Sequence, residues 1–391
     1  MRVLMVTTTP PHLPTHERAR VAPAALLKHL ASHHAMSVVA PEASGQTPAQ
    51  RAWPTALGVR TIRVPGERLR RPFGSGAPAG LPALAEAVRR LIATWAPDVV
   101  HLDGVLLAPL AAEVSVPTLL SCGESGVRRA REARGHARTP RAWVRAQLDE
   151  RLEADWARRW LPAAARCVVP TEADRLTLAE HVPSDRIDVV PPGIDTALYA
   201  PRRGGERGRL VFVGALDRPS HLEAARRLAS RVLPRVRADV PHAELVIAGG
   251  GPSPALRALA ALPGVRVTGA APDLRPTLWS AAVALVPAEA GPGADAALLE
   301  AMALGTPVVS AHCCLSGFEH VLADQHVLVA EDDAETAAAA TRLLREPVVA
   351  ATLAVHARHL VERRYTWASV ARSYESLWDR VTTPRPVAVA A

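Results

Sequence analysis

The sequence predicts an α/β chain of two doubly wound domains. Short Val-rich runs of about five residues alternate with longer amphipathic stretches, the pattern of strands buried on both faces of a parallel sheet with crossover helices between them. That alternation breaks once, at Pro191-Pro192-Gly193 and the Gly-rich Pro201-Arg202-Arg203-Gly204-Gly205, and then starts afresh. At roughly 150 residues per domain, a chain of 391 residues is divided most economically into two halves.

Taken in order, strands are expected at Val3 to Thr8, Ser37 to Ala40, Val59 to Val64, Asp98 to Leu102, Thr118 to Ser121, Arg166 to Val169 and Asp188 to Val190. The clearest helices between them are Arg18 to His33, Leu81 to Trp95, Arg141 to Trp160 and Glu172 to His181, the last entered through a Thr171 cap. After the break come strands at Arg209 to Val213, Glu244 to Ala248, Val265 to Thr268, Ala282 to Val286, Pro307 to Ser310 and Val327 to Val329. Two helices close the chain, about Val348 to Arg364 and Trp367 to Val381. The expected domains are therefore 1–195 and 196–364, with a helix over 365–383 packing back across them and a disordered Pro/Ala/Val tail over 384–391. Two such domains facing across a cleft direct the carboxyl ends of their strands, and the helix N-termini that follow, toward a phosphorylated ligand.

Composition narrows the function. Hydrophobic residues are 49% and charged residues 21%, which excludes a disordered or fibrous chain. No apolar run approaches the roughly 18 residues of a spanning helix, and the N-terminus carries no signal-peptide pattern, so a cytoplasmic protein is expected. Cys122, Cys167, Cys313 and Cys314 lack metal-ligand spacing and read as buried free thiols. The net charge is +8, and Lys28 is the only lysine, so positive charge resides on arginine. Nucleic acid is disfavoured as the partner because aromatic residues total only 4% and no recognition motif is present.

The most informative stretch is Asp295-Ala296-Ala297-Leu298-Leu299-Glu300-Ala301-Met302-Ala303-Leu304-Gly305-Thr306-Pro307-Val308-Val309. It reads as a helix opening after Gly291-Pro292-Gly293, carrying Glu300 in apolar surroundings and stopping at Gly305 before a strand. This run resembles the nucleotide-sugar site of GT-B glycosyltransferases, family 4 in particular. The resemblance extends in order over nearly the whole chain: Met1 to Pro11, Pro97 to His101, Val189 to Asp195, Phe212-Val213-Gly214, Leu245 to Pro252 and Gly264 to Gly269.

Carried over by position, the resemblance makes Glu300 the carboxylate that accepts from the donor ribose hydroxyls. Gly293 and the amides of Asp295, Ala296 and Ala297 would face the diphosphate, and Gly214, Gly249 and Gly250 would lie near the base or phosphates. By itself the Gly249-Gly250-Gly251 triplet reads as a strand-to-helix turn. The chain also departs from the family. Pro292 stands where a second glutamate touches the transferred sugar, with Glu289 three positions out of register. Ala215 and His221 stand where many relatives carry arginine and lysine, and Arg218 or Arg275 could supply that charge instead. Cys122-Gly123-Glu124-Ser125 replaces a segment that often holds a histidine, leaving Glu124 as a polar group over the reacting sugar or as a loop carboxylate. His101 is carried as a catalytic candidate, its alternative being a packed histidine behind the site. The first loop lacks paired glycines, and His12, His16 and Arg18 are the donors available there.

Six arginines against one glutamate mark Val127 to Arg141, just before a helix with Trp143, Trp156 and Trp160. Residues 128–145 are therefore expected either to meet an anionic membrane or to form a solvated loop beside buried tryptophans. The resemblance implies a retaining, metal-independent glycosyltransferase with no permanently bound cofactor, moving a sugar from a UDP- or GDP-sugar to a glycan or lipid-linked hydroxyl at the inner face of the membrane. A GT-B scaffold subunit that has lost turnover is the alternative, and a nucleotide-sugar epimerase a more distant one.

Overall fold

A computed structural model describes residues 1–13, 18–65, 69, 76–137, 139–202, 205–269, 273–288 and 294–383. His16, Glu289, Pro292, Gly293 and the tail from 384 lie outside the described residues, as do the side chains of Arg18 and Asp295. The chain divides into two compact units. Among the described residues, those of Met1–Ala130, Gln147–Pro191 and 367–383 form the first, and those of Arg131–Ala146 with Pro192–Thr366 form the second.

The chain up to Pro191 contains β1 (Arg2–Thr7), α1 (Arg18–Leu30), β2 (Ala35–Pro41), α2 (Pro48–Ala56), β3 (Arg60–Val64), α3 (Leu81–Trp95), β4 (Val99–Asp103), β5 (Thr118–Ser121), α4 (Gly126–Gly135), α5 (Pro140–Trp160), β6 (Arg166–Val169), α6 (Glu172–Leu178) and β7 (Ile187–Val189), all in the first unit except the end of α4 and the start of α5, which fall within Arg131–Ala146 of the second. Its seven strands are all parallel, in the order β3-β2-β1-β4-β5-β6-β7. Val3 to Val6 are all fully buried, because the sheet is covered on both faces. One face packs Leu4, Val6, Val100, Leu102 and Leu120 against Leu84, Val88 and Leu91 of α3. The other packs Val3, Met5, Val99 and Leu119 against Leu26 and Leu27 of α1 and Trp378 near the end of the chain. The basic run is helical through Gly135 rather than an open loop.

The second unit contains β8 (Arg209–Val213), α7 (Pro219–Arg227), α8 (Leu233–Asp239), β9 (Glu244–Ala248), α9 (Pro254–Arg257), β10 (Val265–Thr268), α10 (Arg275–Trp279), β11 (Val283–Val286), α11 (Ala294–Ala303), β12 (Val308–Ser310), β13 (Leu328–Val329), α12 (Asp333–Arg345) and α13 (Pro347–Arg364). The last helix, α14 (Trp367–Thr382), returns to the first unit. Six parallel strands run in the order β10-β9-β8-β11-β12-β13 around a single core. Within α11, Leu298, Ala301, Met302 and Ala303 are buried to 0% exposure, and the helix stops at Gly305, whose φ of 70° glycine adopts at little cost. The thiols divide: Cys122, Cys167 and Cys314 are buried as expected, but Cys313 is exposed. It sits on the turn His312–Leu315, where a hydrogen bond with Cys314 lowers its pKa to about 7.

Candidate functional site

Each sheet reverses its strand order at one place, and such switch points form crevices at the carboxyl ends of the strands. In the second unit the reversal lies between β8 and β11. The loop after β8 holds Gly214 and Arg218, and the chain leaving β11 leads to α11. Gly214 is required by close approach: a Cβ there would lie 2.0 Å from Nδ1 of His221. His221 is 2% exposed and packs on Phe212, so it is a buried support for this loop rather than a solvent-facing side chain. Gly249 has φ 149°, and a Cβ there would lie 1.8 Å from the Gly214 carbonyl. The Gly214 amide donates to the Ala248 carbonyl at 3.0 Å and the Leu216 amide to that of Gly250 at 3.1 Å, so the loops after β8 and β9 interlock. Gly250 instead faces open space. Arg218, half-buried, is the residue immediately before α7.

Glu300 lies in the second half of α11 and is half-buried. The Tyr199 hydroxyl donates to its Oε1 at 3.4 Å. Burial and the Glu300 charge push the Tyr199 phenol far above its usual range, so it is a protonated donor at any working pH. Arg275 stands beside this pair, 5.7 Å over the Tyr199 ring. Its guanidinium is held by both oxygens of Asp273 at 2.8 Å and donates to the Leu198 carbonyl at 3.0 Å. Arg275 thus sits near Glu300 already committed to a carboxylate and to the segment that carries Tyr199. Ala296 and Ala297 are half-buried in the first turn of α11.

In the first unit the reversal lies between β1 and β4. Register aligns Thr7 with Asp103 and Asp103 with Ser121, so these three residues end adjacent strands. His101, fully buried two residues back on β4, shares a 2.8 Å hydrogen bond between Nε2 and the Ser121 hydroxyl, which in turn meets the Tyr374 hydroxyl at 3.0 Å. Its ring stacks on Tyr374 at 5.2 Å and meets Trp378 edge-on. Burial drops the His101 pKa to about 3, so the imidazole is neutral and packed, behind the strand ends. Asp103, half-buried at the strand end, is pushed up to about 7 by burial. Sequence reasoning stopped at His101 and missed it. The signal was available, because side chains alternate along a strand and place 101 and 103 on one face.

Glu124 is half-buried in the loop after β5, with its Oε1 enclosed. That loop turns at Gly123, φ 64°, and is anchored by fully buried Asp174, whose Oδ1 accepts from the Ser125 amide at 2.9 Å and from Arg128 at 2.8 Å. His12 is 2% exposed in the first loop. On α5, Trp143, Val144 and Leu148 are 49%, 59% and 44% exposed, whereas Trp156 is buried and packs on Trp160. No described helix is long and apolar enough to cross a membrane.

Residues 23–198 match the model for Glycosyltransferase Family 4, and residues 207–346 that for Glycosyl transferases group 1. The chain is 30% identical over 207 residues to a phosphatidyl-myo-inositol mannosyltransferase of Propionibacterium freudenreichii subsp. shermanii, a match covering 47% of this chain and 51% of that one. It therefore spans about half the length of this relative. A Mycobacterium leprae protein of the same description is 27% identical over 317 residues, 77% of this chain and 78% of that one. Among solved structures, Anabaena Alr3699/HepE in complex with UDP superposes with a TM-score of 0.63 over 97% of this chain and 100% of that one, at 13% identity. That level of likeness establishes the shared fold.

Proposed function

Because the chain belongs to the family 4 glycosyltransferases of GT-B fold, we propose that it moves a sugar from a nucleotide-diphosphate-sugar, with UDP or GDP as the nucleotide, to a hydroxyl of a glycan or lipid-linked acceptor. The observation that carries this reading is Glu300: a half-buried carboxylate on α11, the helix that follows the switch-point strand, with a tyrosine donor on one oxygen. A carboxylate so placed suits the vicinal diol of a ribose, since each oxygen can accept one hydroxyl proton. The amides of Asp295, Ala296 and Ala297 open the same ten-residue helix and would hold the diphosphate, an anion favoured at a helix N-terminus by up to about 2 kcal/mol. Arg218 would add a guanidinium as negative charge develops on the departing diphosphate.

On the acceptor side, Asp103 would offer the carboxyl that ends β4 and Glu124 the one in the loop after β5, while His101 holds the hydroxyl of Ser121, the last residue of β5. A retaining, metal-independent course follows from the family and is part of the proposal. Relatives described as phosphatidyl-myo-inositol mannosyltransferases support a lipid-linked acceptor and mannose as the first sugar to try. The exposed apolar residues of α5, with Arg141 and Arg145 among them, would meet an anionic membrane at its inner face.

Titration calorimetry with UDP and GDP, followed by donor turnover, tests the reading. One nucleotide should bind, and Glu300→Gln should weaken it by about tenfold or more, the loss expected when hydrogen bonds to a charged acceptor become neutral ones. Binding without hydrolysis or transfer would favour the scaffold alternative. Unchanged affinity in Glu300→Gln would overturn the site.

A further inference from the structure

Within the second unit, the segment Thr196–Ala200 is held by side chains from two helices, α10 and α13. Arg358 of α13 donates to the carbonyls of Thr196 at 3.0 Å, Tyr199 at 2.5 Å and Ala303. Arg275 of α10 donates to the Leu198 carbonyl at 3.0 Å, and Trp279 Nε1, from the same helix, to that of Ala200 at 3.0 Å. Four of the five carbonyls from Thr196 to Ala200 are therefore each met by a long side chain. Asp195 closes the start of the segment by accepting the amides of Ala197 and Leu198, both at 3.1 Å. Because Arg358 also takes the carbonyl of Ala303, the last residue of α11, the backbone of Tyr199 is tied to the helix that carries Glu300.

This much anchoring is more than a connector needs. Its result is to fix one ring: Tyr199 packs on the core of the second unit, lies under the Arg275 guanidinium, and directs its hydroxyl at Oε1 of Glu300. We propose that Tyr199 is a positioning residue for the donor site, orienting the Glu300 carboxylate so that it can receive both hydroxyls of a nucleoside diphosphate's ribose. The inference rests on the reading of Glu300 as the ribose carboxylate. Arg275 then serves the donor through Tyr199 and Leu198. A carboxylate with one orientation fixed in advance loses less rotamer freedom on binding, which is the general benefit of preorganisation.

The test compares UDP and GDP, each beside its 2′,3′-dideoxy analogue, by titration calorimetry on the full chain, Tyr199→Phe and Glu300→Gln. Phenylalanine keeps the buried ring and removes only the hydroxyl, so the melting temperature should stay within about 2 °C of the parent. The parent should prefer the ribonucleotide, and Glu300→Gln should lose most of that preference. Tyr199→Phe should reduce it five- to tenfold while leaving dideoxynucleotide affinity within twofold, a pattern that general loosening of the site would not produce. A preference undiminished in Tyr199→Phe but lost in Glu300→Gln would overturn the role of Tyr199 alone. A preference that survives Glu300→Gln, or is absent from the parent, would overturn the reading of Glu300 and the present inference with it.

Discussion

Asp103 and His101 stand on one face of β4 and depart from their usual protonation in opposite directions, both through burial. In the unfolded chain an aspartate loses its proton near pH 4, whereas folded Asp103 keeps it to about pH 7. Between those values the folded state holds a proton the unfolded state has released, so stability from this group is complete below about pH 4 and is lost as pH rises to about 7. His101 acts in the other direction. Its folded pKa of about 3 lies below the unfolded 6.5, so its contribution is present above about pH 6.5 and is lost as pH falls. Over the shared window these two slopes offset one another. Asp103→Asn removes one of them. The stability difference between variant and parent should grow in the variant's favour from pH 4 to 7, by about 1.4 kcal/mol per pH unit where the slope is full. Urea titrations at pH 4.5, 5.5, 6.5 and 7.5 read that difference directly, and a pH-independent difference would show that Asp103 titrates normally.

Neighbouring glycines give a second residue-level contrast. Alanine at Gly249 would collide with the Gly214 carbonyl and take a strained φ, and it should destabilise the second unit by about 3 kcal/mol or more. Alanine at Gly250 meets nothing within 4 Å, so its melting temperature should stay within about 2 °C of the parent. Any loss of nucleotide affinity in Gly250→Ala would then report ligand approach to that loop.

At the scale of elements, the loop after β5 depends on the start of α6. Thr171 caps that helix by accepting the Asp174 amide at 3.1 Å and donates its own hydroxyl to Asp174 Oδ2 at 2.5 Å. Asp174 in turn binds Arg128 at 2.8 and 3.2 Å and the Ser125 amide, so one carboxylate joins α4, α6 and the Glu124 loop. Asp174→Ala removes a fully buried carboxylate that meets Arg128, the Ser125 amide and the Thr171 hydroxyl together, and should destabilise by about 3–5 kcal/mol, seen as a lower urea midpoint at unchanged slope. The Thr171 cap and the helix over Glu172 were legible because capping is local chemistry written within four residues. The strands were legible to within about two residues because continuous Val-rich burial leaves a continuous apolar run. Asp174 as a cross-element tie was not, since its partners lie 46 and 49 residues away. The same holds at the site. Glu300 could be named from its motif, but its pairing with Tyr199 spans 101 residues and depends on how Arg275 and Arg358 hold the segment between.

For the whole molecule, chain order and structural order differ at the C-terminus. The second unit is complete by Thr366, yet α14 belongs to the first, where Val370, Ala371, Leu377 and Trp378 fill the face of the sheet shared with α1. The helix also brings polar ties: Tyr374 to Ser121 at 3.0 Å, and Glu375 to His34 at 2.7 Å. Trp378 is fully buried and meets both His34 and His101 edge-on, so it supports the polar chain behind Asp103 as well as the core. Trp378→Ala should therefore cost about 3–5 kcal/mol, the usual range for deleting a buried aromatic ring. Because the two cores are separate, the cost should fall on one unit only. Hydrogen exchange should show faster opening of β1, β4 and β5 while β8, β9 and β11 keep parental protection. Nucleotide affinity, which the proposal assigns to the second unit, should survive while acceptor transfer falls. Equal loss of protection in both sheets would mean that the two units unfold as one cooperative body and that α14 stabilises the whole chain.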